Sequence, residues 1–322
     1  MSERGGVDMW RKITAPLLAV VLLLAAVGCG REPSAEGPPP SSSEEVASPA
    51  SSEPVDGDVP IIIGWLADRE IEELHPYLRQ LVEETAAAIA TPEMGEYQRV
   101  KAAFDYMIRH VAMGEPAGLD LWRVHGGGDT PISFVEERAI SPLKYGIGMC
   151  EDYAAALTLL LRGMGLEARY VPGLTYSAEG NLVDHAWTVV KIDGSWYHLD
   201  SQLEDNISRH GWVRYRYFLR GDATLSSSHR WGQNLIDAGL LTEEQNRELG
   251  ENWTPPPCPG DYPTPERYDF EADPAPDPEV AARQAAGEIA AWEKENGPLP
   301  AMELNVIPPV FGLEGYGPPD EG

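Results

Sequence analysis

Apolar residues recur at three- and four-residue spacings through the first half of this chain and at alternate positions further on. Over 68–90, Ile71, Leu74, Leu78, Leu81 and Val82 fall on one face and predict a helix. Thr91-Pro92-Glu93 then opens a second helix, 93–113, with Val100, Phe104, Met107, Ile108 and Val111 periodic. GGGD at 126–129 marks a loop, 131–140 predicts a short helix, and YGIG before Cys150 predicts a turn. Ala154, Leu157, Leu160, Leu161 and Met164 predict a long helix over 150–164, stopped by Gly165. Beyond it the period changes. Strands are predicted at 168–174, 185–192 and 195–200, the last two joined at Asp193-Gly194, a strong hairpin signal, with a further strand at 213–219. Helices first and antiparallel strands later give an α+β class.

The ends read differently. Arg11 and Lys12 precede an apolar run, 13–28, that is short for a membrane span and has the length of a signal-peptide core. Residues 30–58 hold almost no large apolar side chain and predict a disordered tether. This divides the chain into 1–28, a signal segment; 29–58, an acidic Pro/Ser-rich tether; 59–250, the folded domain; and 251–322, an acidic Pro-rich tail. Within the tail, 278–296 offers one helix with Asp277 as cap and a weak stripe of Ala285, Ile289 and Trp292. The tail either drapes over the domain or stays disordered.

Charge sharpens this division. The chain carries −28, of which seven acids and one Arg place −6 on 30–58, and fifteen acids and three bases place −12 on 251–322. Nucleic acid is thereby disfavoured as a partner, since it needs a basic footprint.

The chemistry concentrates in GIGMCEDY around Cys150, VDHAWTVV around His185 and WYHLDSQLED around Asp200. A thiol, an imidazole and a carboxylate are the attacker, base and orienter of a cysteine nucleophile. Cys150 opens the long helix, where the dipole and free N–H groups favour an anion. Glu151 and Asp152 oppose a thiolate there and require another group to offset them. A two-residue turn at Asp193-Gly194 pairs Ile192 with Ser195. Continued outward, this register sets His185 opposite Gln202 and Asp200 opposite Trp187, so His185 and Asp200 become diagonal neighbours on one face. The other face, with Ala186, Thr188, Val190, Tyr197 and Leu199, is the expected core face.

Taken together, GMCEDYAAALTLLLRGMGLEARYVPG, DHAWTVVKIDGSWYHLDSQLED and RYRYFLRGDATLSSSHRW resemble the bacterial transglutaminase-like superfamily over roughly 93–231. The resemblance implies a papain-like α+β core with Cys150 as nucleophile, His185 as general base and acid, and Asp200 as orienter. The chain departs from the family at Gln202, where members often carry Thr or Ser. Lys144 or Tyr145 lies in the stretch where a side-chain oxyanion donor is sought. Ala26 and Gly28 before Cys29 resemble a bacterial lipobox, which implies acylation of Cys29 and an extracytoplasmic, lipid-anchored protein. The alternative is an ordinary secretory signal.

The residues leave alternatives open. Cys150 could be a buried structural thiol, or could pair with Cys258, which PPPCPG makes look exposed. His198 reads as a packing residue, and His210 and His229 as loop residues. The aromatic run Tyr215, Tyr217 and Phe218 reads as a strand face. No clustered ligand spacing points to a metal, and no cofactor is expected. Two functions follow: a cysteine enzyme attacking a protein or peptide amide, or a non-catalytic envelope module binding peptides or proteins. Oligomeric state is not legible.

Overall fold

The computed structural model describes residues 70–117, 124–125, 133–178, 180–207, 212–232, 235, 237, 255–266, 268–269 and 277–299. The signal segment, the tether, Cys29 and His210 lie outside the described residues. Among the described residues no helix is long and apolar enough to cross a membrane.

The first predicted helix begins later than its periodicity. A single 3-10 turn, Ile71–Glu73, precedes α1, Pro76–Ile89. Pro76 takes the first helical position, where its missing N–H costs nothing, and His75 Nδ1 accepts the Tyr77 N–H at 3.2 Å. The second helix, α2, covers Glu96–His110. Its predicted last turn leaves the helix because Ala112–Met113 forms β1.

The expected short helix is longer. α3, Phe134–Tyr145, starts at a capping box in which Ser133 Oγ accepts the Glu136 N–H and Glu136 accepts the Ser133 N–H, and it ends at left-handed Gly146. In place of a simple turn, Ile147–Gly148 forms β2 and pairs in parallel with β1.

The long helix, α4, spans Cys150–Gly163, and every residue from Asp152 to Leu161 is buried. It is buried all round because α1, α2 and α3 surround it on one side and the sheet on the other. It is the centre of the core.

The sheet contains β3, Ala168–Tyr176; β4, Leu182–Ile192; and β5, Ser195–Leu199. After it come α5, Ser201–Ile207; β6, Trp212–Val213; α6, Asp222–Leu225; and β7, His229–Arg230. The antiparallel order is β5-β4-β3-β7. Ala186, Thr188, Val190 and Leu199 face α4. There Thr188 Oγ1 donates to the Ala154 carbonyl and meets Thr158 Oγ1, both at 3.1 Å, a buried polar pin between helix and sheet. On the reverse face Val171, Trp187 and Val189 pack with Leu225, Trp231 and Cys258.

The expected strand at 213–219 is overturned. Only Trp212–Val213 is extended, pairing with β8, Tyr268–Asp269. Tyr215 and Leu219 have positive φ, 55° and 52°. The cause is Glu204, fully buried on α5, whose carboxylate accepts the Arg214 N–H at 2.8 Å and the Tyr217 N–H at 2.9 Å. The backbone wraps around this anion instead of running straight.

The tail reaches the reverse face at Cys258. Cys258 was expected at the surface and is fully buried, because its backbone exchanges two hydrogen bonds with Asp222: Asp222 N–H to Cys258 O at 2.8 Å, and Cys258 N–H to Asp222 Oδ2 at 2.9 Å. Gly221 permits this approach, since a Cβ there would stand 2.7 Å from the Gly260 backbone. The tail helix, α7, spans Pro278–Asn296 with Asp277 accepting the Glu279 N–H. It packs through Ala281, Ala285 and Ile289, and Glu288 accepts the Tyr145 hydroxyl at 2.6 Å.

Candidate active site

Cys150, half-buried, is the first residue of α4. His185, on β4, is a hydrogen-bond partner of its side chain. On the far side of the ring, His185 Nε2 lies 2.7 Å from Asp200 Oδ2, so Nδ1 is the nitrogen left for the thiol. His185 is 6% and Asp200 1% exposed, which keeps water from competing for this bond. Cys150 and Cys258 are both free thiols, so the bridge considered between them is not formed.

The route by which Asp200 reaches His185 differs from the expectation. The register at the turn is as expected: Ile192 pairs with Ser195, and Asp193 and Gly194 both have positive φ, 50° and 78°, a type I′ turn. Pairing stops at Thr188 with Leu199. Asp200 is not in the strand. Its N–H donates to the Tyr217 carbonyl at 3.0 Å, and its Oδ1 accepts the Leu203 N–H at 3.0 Å, capping α5. Gln202 therefore does not face His185; it donates to Met113 Sδ at 3.4 Å. Opposite His185 stands Gly173 on β3. A Cβ on Gly173 would come within 2.4 Å of the Arg230 carbonyl and 2.6 Å of the Trp187 ring, so glycine alone lets β7 and the indole close around the site.

Sequence reasoning missed His229. It is a fully buried β7 residue, not a loop residue, and its Nε2 lies 2.9 Å from the same Asp200 Oδ2. The available cue was alternation in His229-Arg230-Trp231, which puts His229 and Trp231 on one face. His198 is also buried: Trp187 Nε1–H donates to its Nδ1 at 2.9 Å, and its Nε2 lies 2.9 Å from Asp222 Oδ1.

The charges follow from these contacts. Burial alone would lower the basicity of His185, but the Asp200 carboxylate outweighs it and raises the pKa to about 10. Burial would push the Asp200 carboxyl up; His185 and the two imidazole N–H groups hold it well below the usual carboxylate range. Burial lowers His198 and His229, which stay neutral. At neutral pH the cluster is one imidazolium, one carboxylate and two neutral imidazoles.

The acids beside Cys150 have their own counter-ion. Arg138 on α3 lies 3.5 Å from both Glu151 and Asp152. Burial raises Asp152 to about 7, against the pull of Arg138. The side-chain oxyanion donor sought at Lys144 or Tyr145 is not there. The Tyr145 hydroxyl is bonded to Glu288, and the Lys144 ammonium sits over the Tyr145 ring.

Among the described residues two trios bring ligating atoms within 4.8 Å of one another, His185-Asp200-His229 and His198-Asp222-Cys258. The second does not suit a metal. Coordination through His198 Nε2 requires the proton on Nδ1, where the Trp187 N–H already points, setting donor against donor.

Residues 83–201 match the family model described as the Transglutaminase-like superfamily. No curated protein sequence matches the chain. Among solved structures, similarity extends to a candidate cysteine protease from Cytophaga hutchinsonii, 16% identical over 45% of this chain and 46% of that one, with a TM-score of 0.28. A candidate protease from Parabacteroides distasonis is 12% identical over 41% of this chain and 24% of that one, TM-score 0.27. A TGase is 21% identical over 38% and 30%, TM-score 0.24. The chain spans less than half the length of each of these three. Cys150, His185 and Asp200 all fall within the stretch, 83–201, that matches the transglutaminase-like superfamily model, and the fold around them is α+β.

Proposed function

We propose that the protein is a cysteine enzyme that attacks a protein or peptide amide. The observation that carries this is the line Cys150–His185–Asp200, in which the His185 side chain interacts with the Cys150 thiol and its Nε2 lies 2.7 Å from Asp200 Oδ2. The pair reacts with the thiol proton already on the His185 imidazolium: the sulfur adds to the carboxamide carbon, and the Cys150 N–H at the start of α4 faces the developing oxyanion. Collapse breaks the C–N bond; His185 returns its proton to the leaving ammonia or amine, and a thioester remains. Water resolves it to an acid, or an amine to a new amide, so hydrolysis and transamidation share every step up to the acceptor. Asp200 holds the ring and stabilises its charged form.

The tether and the lipobox-like Ala26–Cys29 stretch support a placement outside the cytoplasmic membrane, anchored through Cys29, where the substrate is an envelope or extracellular protein.

A thiol-directed probe built on a carboxamide tests this on reduced protein. It labels Cys150 in the wild type, fails in Cys150→Ala, and slows in His185→Ala. Unlabelled wild type leaves the non-catalytic binding module as the reading. Glutamine-containing peptides with and without a primary amine then separate hydrolysis from transamidation by product mass.

A further inference from the structure

The geometry points to His229 as a positioning residue that latches the Asp200 carboxylate for His185. This rests on the enzymatic reading above. Asp200 Oδ2 receives two imidazole nitrogens, His185 Nε2 at 2.7 Å and His229 Nε2 at 2.9 Å, while Oδ1 receives the Leu203 N–H. A carboxylate only accepts, so His229 carries its proton on Nε2. With a neutral ring, Nδ1 must accept, and the Ser228 hydroxyl stands 2.8 Å away to donate, nearer than its other acceptor, the Leu225 carbonyl at 3.3 Å. Ser228 is itself fixed by Thr175 Oγ1, which donates to the Ser228 carbonyl at 3.0 Å. The tautomer of His229 is therefore set from behind, and the ring offers Asp200 one N–H in one direction.

The groups facing His229 are Asp200, His185, His198 and Tyr217, and the Trp187 ring packs edge-on at 4.8 Å. A neutral donor among them fixes the carboxylate without adding a cation that would compete with the His185 imidazolium. A second positive charge there would lower the basicity of His185. Its neutrality matters as much as its N–H.

The test is made on the full chain. His229→Phe keeps a flat aromatic ring and removes the N–H; His229→Gln returns an amide N–H near the Nε2 position. Two readouts are followed: the NMR titration of the His185 ring, and the rate of Cys150 alkylation by iodoacetamide at pH 7. His229→Phe lowers the His185 titration by about one unit and slows alkylation about tenfold, the scale of one hydrogen bond to a charged group, and His229→Gln recovers most of both. A folded His229→Phe with wild-type titration and alkylation overturns the inference. Should His229→Phe fail to fold, Ser228→Ala decides: the His185 titration falls by about half a unit and alkylation slows about threefold, and unchanged readouts overturn it. A wild-type Cys150 no faster than glutathione, and indifferent to His185→Ala, removes the enzymatic reading together with this one. A reactive wild type with an unaltered His229→Phe removes this one alone.

Discussion

Trp187 donates its indole N–H to His198 Nδ1 at 2.9 Å, and through that bond the wall of the site is tied to the tail. With Nδ1 accepting, His198 must donate through Nε2 to Asp222, whose other oxygen holds the Cys258 N–H. Indole, imidazole, carboxylate and tail backbone are one buried chain of hydrogen bonds. Replacing His198 by Leu leaves the Trp187 N–H buried without a partner. The expected cost is about 1–3 kcal/mol in denaturant unfolding. Limited proteolysis near Cys258 should accelerate in the same variant, and an unchanged cleavage rate would show that the tail is held independently.

The raised His185 makes stability fall as pH rises above neutrality. The His185 pKa is raised from 6.5 to about 10 on folding, so its contribution is fully present below 6.5 and is lost progressively as pH climbs through about 10. Asp200 is shifted down, so its contribution is present above the ordinary carboxylate range and lost only in strong acid. Asp200→Asn removes the partner. The wild type should exceed this variant in stability most clearly near pH 6, with the gap shrinking toward pH 10. Unfolding titrations of both proteins across this range give the gap directly; a gap that widens with pH contradicts the assignment.

Glu204 organises the turn that presents Tyr217 O to the Asp200 N–H. In Glu204→Gln one oxygen becomes an NH₂ that meets a backbone N–H head-on. A loss of about 2–3 kcal/mol is expected, since the removed interactions are hydrogen bonds to a charged group. Cys150 labelling should fall with it, because Asp200 loses the support of the turn. Guanidinium unfolding and probe labelling measure the two effects separately.

Cys258 is fully buried, and burial together with nearby Asp222 holds its thiol well above the ordinary range. Iodoacetamide on the native protein should modify Cys150 and spare Cys258, with the Cys258 adduct appearing only in denaturant. Mass spectrometry of the tryptic peptides distinguishes the sites. Equal native labelling of both would place the tail off the sheet.

What could be read in the residue order was what neighbours in the chain decide among themselves. The three- and four-residue repeat from Ala154 to Leu161 specifies α4, Asp193-Gly194 specifies a type I′ turn and hence the register of β4 with β5, and Asp277 with Pro278 marks the start of α7. The residue types offered by Cys150, His185 and Asp200 are likewise a property of the sequence. The tertiary structure decided which partner each buried polar group finds. It took Asp200 out of the strand to cap α5, wrapped 214–217 around Glu204, sank Cys258 beneath Asp222 and brought His229 to Asp200 from 29 residues away in the chain. Periodicity and turn chemistry act over a few residues. A buried carboxylate must be satisfied by whatever donors the packing brings within about 3 Å, and no local pattern specifies those.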